Sequence, residues 1–402
     1  ETTLGTTCEL LDCLHRTPEY SNFGYPMVRV TDVKNGPLET NGCLKVDVNT
    51  FNDFSKNYQP KIGDIVFTRV GSFGLSAIVK KEEQFCIGQN TTLILAKKIN
   101  PFFLFYYLIS KLGRYQIVAL SSGSTQPTIS MANIREIHFN LPPLPEQKAI
   151  AKVLTAFDDK IELLQEQNMT LESMAQTIFK EWFGKYQIGD ELPEGWRVGK
   201  LGDIANLKSG YAFKSKEFVE ESSKKALKIK DLKGDGKVSL NAVSCVSNDV
   251  TKLSRVQYFR LKEGDIVLAM SGNTTGKIGV IPPHSNEVYL NQRVGKFFMI
   301  KQDLNSFLYS FLMSGNYEEK ILSMGYGSAQ PNISPSQIEN IDIIYPNEEK
   351  LVSFLNISNP IFNKVLDNNN QIQSLTKTRD TLLPKLMSGQ VRVNNIKQTA
   401  NA

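Results

Sequence analysis

An internal repeat constrains this chain more than any other feature of its sequence. G-D-I-V stands at 63–66 and again at 264–267, an offset of 201. G-S-T-Q-P-T-I-S at 123–130 returns as G-S-A-Q-P-N-I-S at 327–334, an offset of 204. V-R-V-T-D-V-K-N-G at 28–36 parallels L-K-I-K-D-L-K-G-D-G at 227–236. An offset that drifts by a few residues marks loop insertions in a duplicated fold. Solenoid repeats recur every ~20–50 residues, so a period near 200 predicts two similar globular domains.

Each copy orders its elements alike. Short β-rich runs come first, at 64–69 and 265–270, each launched by Gly-Asp. Apolar runs follow at 92–96 and 295–300. A helix comes next. In copy one Asn100 can cap it and Pro101 can take its first position, while copy two has N-S-F-L-Y-S-F-L-M. Ser130 and Ser334 read as N-caps of short helices, and Pro335 again suits a first position. The fold class expected is α+β, with two similar mixed α/β domains and mostly antiparallel strands.

A long helix closes each copy. Ile150, Leu154, Phe157, Ile161, Leu164, Asn168, Leu171, Ala175, Ile178 and Trp182 alternate spacings of four and three, the seam of a coiled coil. Adding 204 gives Phe354, Ser358, Ile361, Val365, Asn368, Ile372, Leu375, Arg379, Leu382 and Leu386, a weaker seam. Ser358 precedes an expected start at Pro360, and Pro384 is expected to end or kink this helix. Asn168 and Asn368 sit on the seams. A buried Asn can fix register when it finds a partner, and is otherwise tolerated beside a wet patch.

The simplest closed arrangement is an antiparallel coiled coil, with the two domains related by a pseudo-twofold axis. The partition expected is domain 1 at 1–145, a central helix at 146–185, domain 2 at 186–350, a C-terminal helix at 351–392 and a tail at 393–402. A helix of ~33 residues is ~50 Å long. Such a rod would hold the two domains apart by about its own length.

Composition narrows the classes. The chain has 402 residues, 41% hydrophobic and 22% charged, with a net charge of +5. That mild excess suits a nucleic-acid partner without demanding one. Cys8, Cys13, Cys43, Cys86 and Cys245 form no C-x-x-C pair, so neither a disulfide framework nor a zinc site is expected, and a reducing cytoplasm is the expected compartment. No signal peptide is read, and the densest apolar run, 102–109, is too short to cross a bilayer, so no membrane partner is expected.

Four strings carry a resemblance: K-I-G-D-I-V-F-T-R-V-G-S-F-G at 61–74, G-S-T-Q-P-T-I-S at 123–130, N-L-P-P-L-P-E-Q-K-A-I-A at 140–151 and L-L-P-K-L-M-S-G-Q-V-R-V at 382–393. With the duplication, they make the whole chain resemble the specificity (S) subunits of type I restriction–modification enzymes. The resemblance implies that each copy is a target recognition domain reading one half of a bipartite double-stranded DNA sequence. It implies that the helices dock methyltransferase subunits, two of them, and that restriction subunits join that core. It implies no active site and no cofactor. Copy two departs in having I-I-Y-P-N-E-E-K where copy one has L-P-P-L-P-E-Q-K, which puts the start of the second helix in doubt.

Base readout needs polar side chains on exposed loops, and phosphate contact needs Lys, Arg and free N–H groups. Copy one offers Arg69, Ser72, Ser124 and Gln126. Copy two offers Asn273, Thr274, Lys277, Arg293 and Gln330, with Lys214 and Lys230 from a lysine-rich stretch at 208–237. Arg69 can equally be a paired arginine. The G-S-x-Q-P string recurs although the half-sites should differ, so it can be a turn or a phosphate contact instead of a base reader. The lysine stretch can be a solvated face.

Enzyme readings lack support. G-N-T-T-G-K at 272–277 has three residues between its glycines where a phosphate loop has four, and Ile278 stands where Ser or Thr should bind Mg²⁺. L-P-P-L at 141–144 lacks the Asn and the aromatic residue of an amino-methyltransferase motif. Glu-x-Lys at 146–148 and 348–350 falls where helices start, and acidic residues favour that end of the dipole. His15, His138 and His284 are scattered, so no metal centre or catalytic pair is expected. A scaffold built on the heptads would leave the two β-rich domains unexplained.

Overall fold

The computed structural model describes every residue except 124–125, 235, 241, 302, 315–316, 318–319, 322–331 and 394–402. The chain divides into two compact units. Unit 1 is Glu1–Lys160 with the described part of Leu375–Ala402, and unit 2 is Ile161–Ser374. These units cut both long helices, whereas the sequence partition gave each helix a segment of its own.

Unit 1 is built on a five-stranded sheet. Its strands are β1 (Cys8–Asp12), β2 (Gly36–Pro37), β3 (Ile65–Thr68), β4 (Ser76–Ile78) and β5 (Thr91–Ala96), in the order β1-β5-β3-β4-β2. Unit 2 has β6 (Ala205–Ser209), β7 (Gly236–Lys237), β8 (Ile266–Ala269), β9 (Ile278–Val280) and β10 (Val294–Met299), in the order β6-β10-β8-β9-β7. The order is the same, and so are the directions: antiparallel throughout, except that the last strand pairs parallel with its neighbour. A smaller sheet repeats in the same way, with Tyr25–Val28 between Lys45–Val46 and Cys86–Ile87, and Lys224–Leu227 between Ser244–Val246 and Glu287–Leu290. Unit 2 adds an edge strand, Phe218–Val219.

The repeated G-D-I-V string has a structural cause. Gly63 and Gly264 adopt left-handed backbone, with φ of 94° and 81°. The carboxylates of Asp64 and Asp265 then accept the N–H groups of Lys61 and Lys262, each at 2.7 Å. Each Asp closes the turn that launches a central strand, and Ile, Val and their neighbours fill both faces of it (Ile65, Val66, Ile266 and Val267 are buried). The second shared string works alike. Asp32 accepts the N–H of Arg29 and Asp231 that of Lys228, both at 2.9 Å.

The helix α1 (Pro101–Ile109) is capped by Asn100, whose side chain accepts the N–H of Phe103 at 3.0 Å. Six of its residues, Phe103 to Leu108, are buried against the sheet. Its counterpart in unit 2 is Asn305–Leu312. Ser130 and Ser334 cap short helices as expected, accepting from Asn133 and Gln337.

The first long helix, α2 (Leu144–Phe179), has 36 residues and continues into a π-helical turn at Lys180–Gly184. The second, α3 (Glu348–Met387), has 40. Its start corrects the sequence reading: it begins at Glu348, with Asn347 accepting the N–H of Lys350 at 2.9 Å, and runs on through Pro360 and Pro384. A proline inside a helix removes one ladder bond and costs ~3 kcal/mol. Burial of Leu351 and Phe354, at roughly 1.5–3 kcal/mol each, offsets that loss. Ser358 is no cap; it is buried, with its hydroxyl 2.7 Å from that of Ser306.

Within unit 2 the two helical segments run in opposite directions. Asn168 faces Asn368 and Asn369, while farther along Phe179 and Trp182 pack on Phe354. Within unit 1, Arg379 bonds Asp158 at 2.6 Å, and Asp158 also accepts the hydroxyl of Tyr106 at 2.6 Å. Among the described residues no helix is long and apolar enough to cross a membrane.

Candidate nucleic-acid interface

Backbone bonding gathers three loops at one end of each five-stranded sheet. In unit 1, the N–H of Arg69 donates to the carbonyl of Asn90 at 2.8 Å, and the carbonyl of Arg69 accepts from Ile129 at 3.0 Å. In unit 2, the N–H of Met270 donates to Arg293 at 3.0 Å, and the carbonyl of Met270 accepts from Ile333 at 2.9 Å. One three-way junction is thus built twice. It joins the loop after the G-D-I-V strand, the turn before the last long strand, and the chain that leaves the G-S-x-Q-P string.

In unit 2 most candidate residues meet here. The β8–β9 loop carries Asn273, Thr274 and Lys277, and the turn before β10 carries Arg293, because Ala269 pairs with Val294. The turn at Ile229–Asp231 joins them: a Cβ at Gly272 would lie 3.2 Å from Ile229, and one at Gly234 would lie 3.0 Å from the Lys277 side chain. Asn273, Arg293 and Lys230 are exposed and Lys277 is half-buried. Thr274 turns inward, its hydroxyl buried without a partner. Lys214 is exposed and precedes a short turn beside the edge strand, with its N–H on Glu217 at 2.7 Å. Gln330 lies outside the described residues.

In unit 1 the loop after β3 carries Arg69 and an exposed Ser72. Gly71 and Gly74, both at φ 72°, shape that loop. Arg114 braces it from below, donating to the carbonyl of Phe73 at 2.7 Å with its guanidinium 4.9 Å from the Phe73 ring. Gln126 is exposed nearby in sequence to Thr128, which bridges to Val70. Ser124 lies outside the described residues.

Arg69 is paired. Its Nη1 lies 2.6 Å from Oδ1 of Asp12 and its Nε 3.4 Å from the carbonyl of Ile129. Partial burial disfavours the charged carboxyl of Asp12, but the hydrogen bond and charge of Arg69 outweigh it and hold that carboxyl below its ordinary range. That carboxyl therefore stays ionised at neutral pH, and the stability it contributes is lost as pH falls from its ordinary value through the lowered one.

The lysine-rich stretch is partly consumed inside the fold. Lys224 pairs with Glu287, Lys225 lies 3.0 Å from the Cys245 sulfur, and Lys228 sits 3.8 Å from the Phe218 ring centre. Lys230 and Lys233 remain exposed. Sequence reasoning missed Asp12, which reaches Arg69 across 57 positions, and Arg255, whose guanidinium lies 5.5 Å from the Tyr211 ring. Nothing local in the sequence marks either one. Among the described residues no group of three His, Cys, Asp or Glu could hold a metal ion.

A doubled mixed fold whose polar and basic loops converge once per copy, with a long helix after each, defines a tandem recognition protein. The model of the type I restriction modification DNA specificity domain matches the chain twice, over residues 12–173 and 193–376. The chain belongs to that family, the specificity subunits of type I restriction–modification enzymes, which are non-catalytic and confer DNA sequence specificity. It is 31% identical over 314 residues to the MjaVIII specificity subunit of Methanocaldococcus jannaschii, covering 75% of this chain and 72% of that one. The MjaIX specificity subunit of the same organism is 28% identical over 353 residues, covering 83% and 79%. The crystal structure of an S subunit from M. genitalium shares the fold, with a TM-score of 0.58 at 20% identity over 96% of this chain and 95% of that one.

Proposed function

We propose that the chain reads a split duplex target, one half-site through the loops of each unit, and directs two methyltransferase subunits and the restriction subunits to it. The observation that carries this reading is the doubled junction, because one binding geometry built twice suits two separate short sequences better than one long one. The partition is then two readers, 1–145 and 186–350, a central helix at 146–185, a C-terminal helix at 351–392 and a tail. The helices form an antiparallel coiled coil that spaces the readers about a pseudo-twofold axis, with Asn168 and Asn368 setting register. Opposite helix directions within unit 2 support that arrangement. At ~1.5 Å per residue, helices of 36 and 40 residues are long enough to separate the readers by about one and a half turns of DNA. Arg69, Ser72, Ser124, Gln126, Lys214, Lys230, Asn273, Lys277, Arg293 and Gln330 are the proposed contacts, without Thr274, whose hydroxyl is buried.

Titrating the full chain against duplex DNA at rising salt tests the DNA role. With six to ten phosphates contacted, affinity should fall ~10³–10⁵-fold between 50 and 200 mM salt. A scaffold that merely presents its helices to other proteins would show no binding, or binding indifferent to salt.

A further inference from the structure

The two units carry one junction but different side chains on it, and the difference is organised. In unit 1 a cross-strand row runs Phe67, Thr92, Asp12; in unit 2 the same row runs Leu268, Gly295, Ser209. Asp12 therefore corresponds to Ser209. The junction bonds equate Arg69 with Met270 and Asn90 with Arg293. Both members of the Arg69–Asp12 pair are thus replaced together in unit 2, by Met270 and Ser209. Met270 is buried in unit 2's core, 4% exposed, and the backbone junction stays intact. The common fold does not need the ion pair. A pair that the fold can do without, at the loop junction of one reader only, is what a base-reading element would be.

We propose that Arg69 reads a guanine in the half-site of unit 1, and that Asp12 is the positioning residue that aims it. This rests on each unit reading one half-site. The Asp12 and Ile129 contacts use one hydrogen of Nη1 and that of Nε, which leaves one on Nη1 and both on Nη2. A guanidinium is planar and rigid, so anchoring two of its nitrogens fixes the direction of the remaining N–H groups. Guanine presents O6 and N7 in the major groove, which an arginine fork meets with two hydrogen bonds. At 18% exposure the Arg69 side chain has little freedom to wander, yet part of it still reaches solvent. Unit 2 places its arginine on the opposite arm of the junction, at Arg293, so its half-site is read from a different position.

The test is selection by the full chain, with its methyltransferase subunits present, from a pool of random duplex DNA, followed by sequencing. The wild type should show a guanine preference at one position of one half-site. Arg69→Lys keeps the charge but loses the fork, and should cut that preference about 10–100-fold, the range one bidentate pair supplies. Asp12→Asn should lower the preference at the same position, with the other half-site unchanged. Should either fail to fold, the double variant Asp12→Ser with Arg69→Met carries residues that unit 2 already accommodates, and should give the same loss. An unchanged preference, or equal weakening at every position as expected of a phosphate contact or a mere brace, overturns the inference and leaves the split-target reading standing. A wild type that selects no split sequence overturns both.

Discussion

Phe354→Ala is expected to destabilise unit 2 by about 3–5 kcal/mol, as truncation of a fully buried aromatic does. Phe354 is 0% exposed and touches the rings of Phe179, Trp182, Phe183 and Phe307, with centroids 5.2–6.1 Å apart. That cluster gathers the end of the first long helix, the start of the second and the helix behind the unit 2 sheet. Removing the central ring leaves a cavity that four rigid neighbours cannot close. Denaturant unfolding followed by tryptophan fluorescence reads the loss directly, because Trp182 and Trp196 both lie at this cluster. Phe354→Leu, which keeps more of the volume, should cost much less. Equal stability of the alanine variant and the wild type would mean that the helix packs elsewhere.

Exchanging residues 190–350 for the matching segment of a relative with another target should change one half-site completely and leave the other as it was. The segment holds every described strand of unit 2 and every loop of its junction, and it stops as the second long helix begins. Each base pair read wrongly costs about 1–3 kcal/mol, so a new half-site of a few base pairs should be preferred over the old one by several orders of magnitude. Sequencing of the sites methylated or bound by the exchanged chain measures this. Alteration of both halves would count against independent readers.

Much of the fold was legible because duplication writes the same constraints twice. G-D-I-V marked the turns closed by Asp64 and Asp265, and Asn100, Ser130 and Ser334 cap where their side chains suggested. Local chemistry of this kind acts over three or four residues and leaves a visible pattern. The start of the second long helix was misread because Pro360 looks like a first turn, and only the tertiary burial of Leu351 and Phe354 overrides it. The lysine-rich stretch looked uniform, yet Lys224, Lys225 and Lys228 are occupied by partners from other strands. The candidate loops could be named in advance because polar residues followed the repeated strands. Their convergence could not, since it depends on Met270 meeting Arg293 and Ile333 through backbone bonds that carry no sequence signature. Thr274 shows the limit: its hydroxyl points into the fold although its neighbour Asn273 is exposed.

The most direct measurement is the sequence that the wild-type chain, assembled with its methyltransferase subunits, selects from random duplex DNA. Two short blocks of preferred bases, separated by a spacer of constant length and indifferent sequence, are the predicted result. A single unbroken block, or two blocks at freely varying separation, would contradict it.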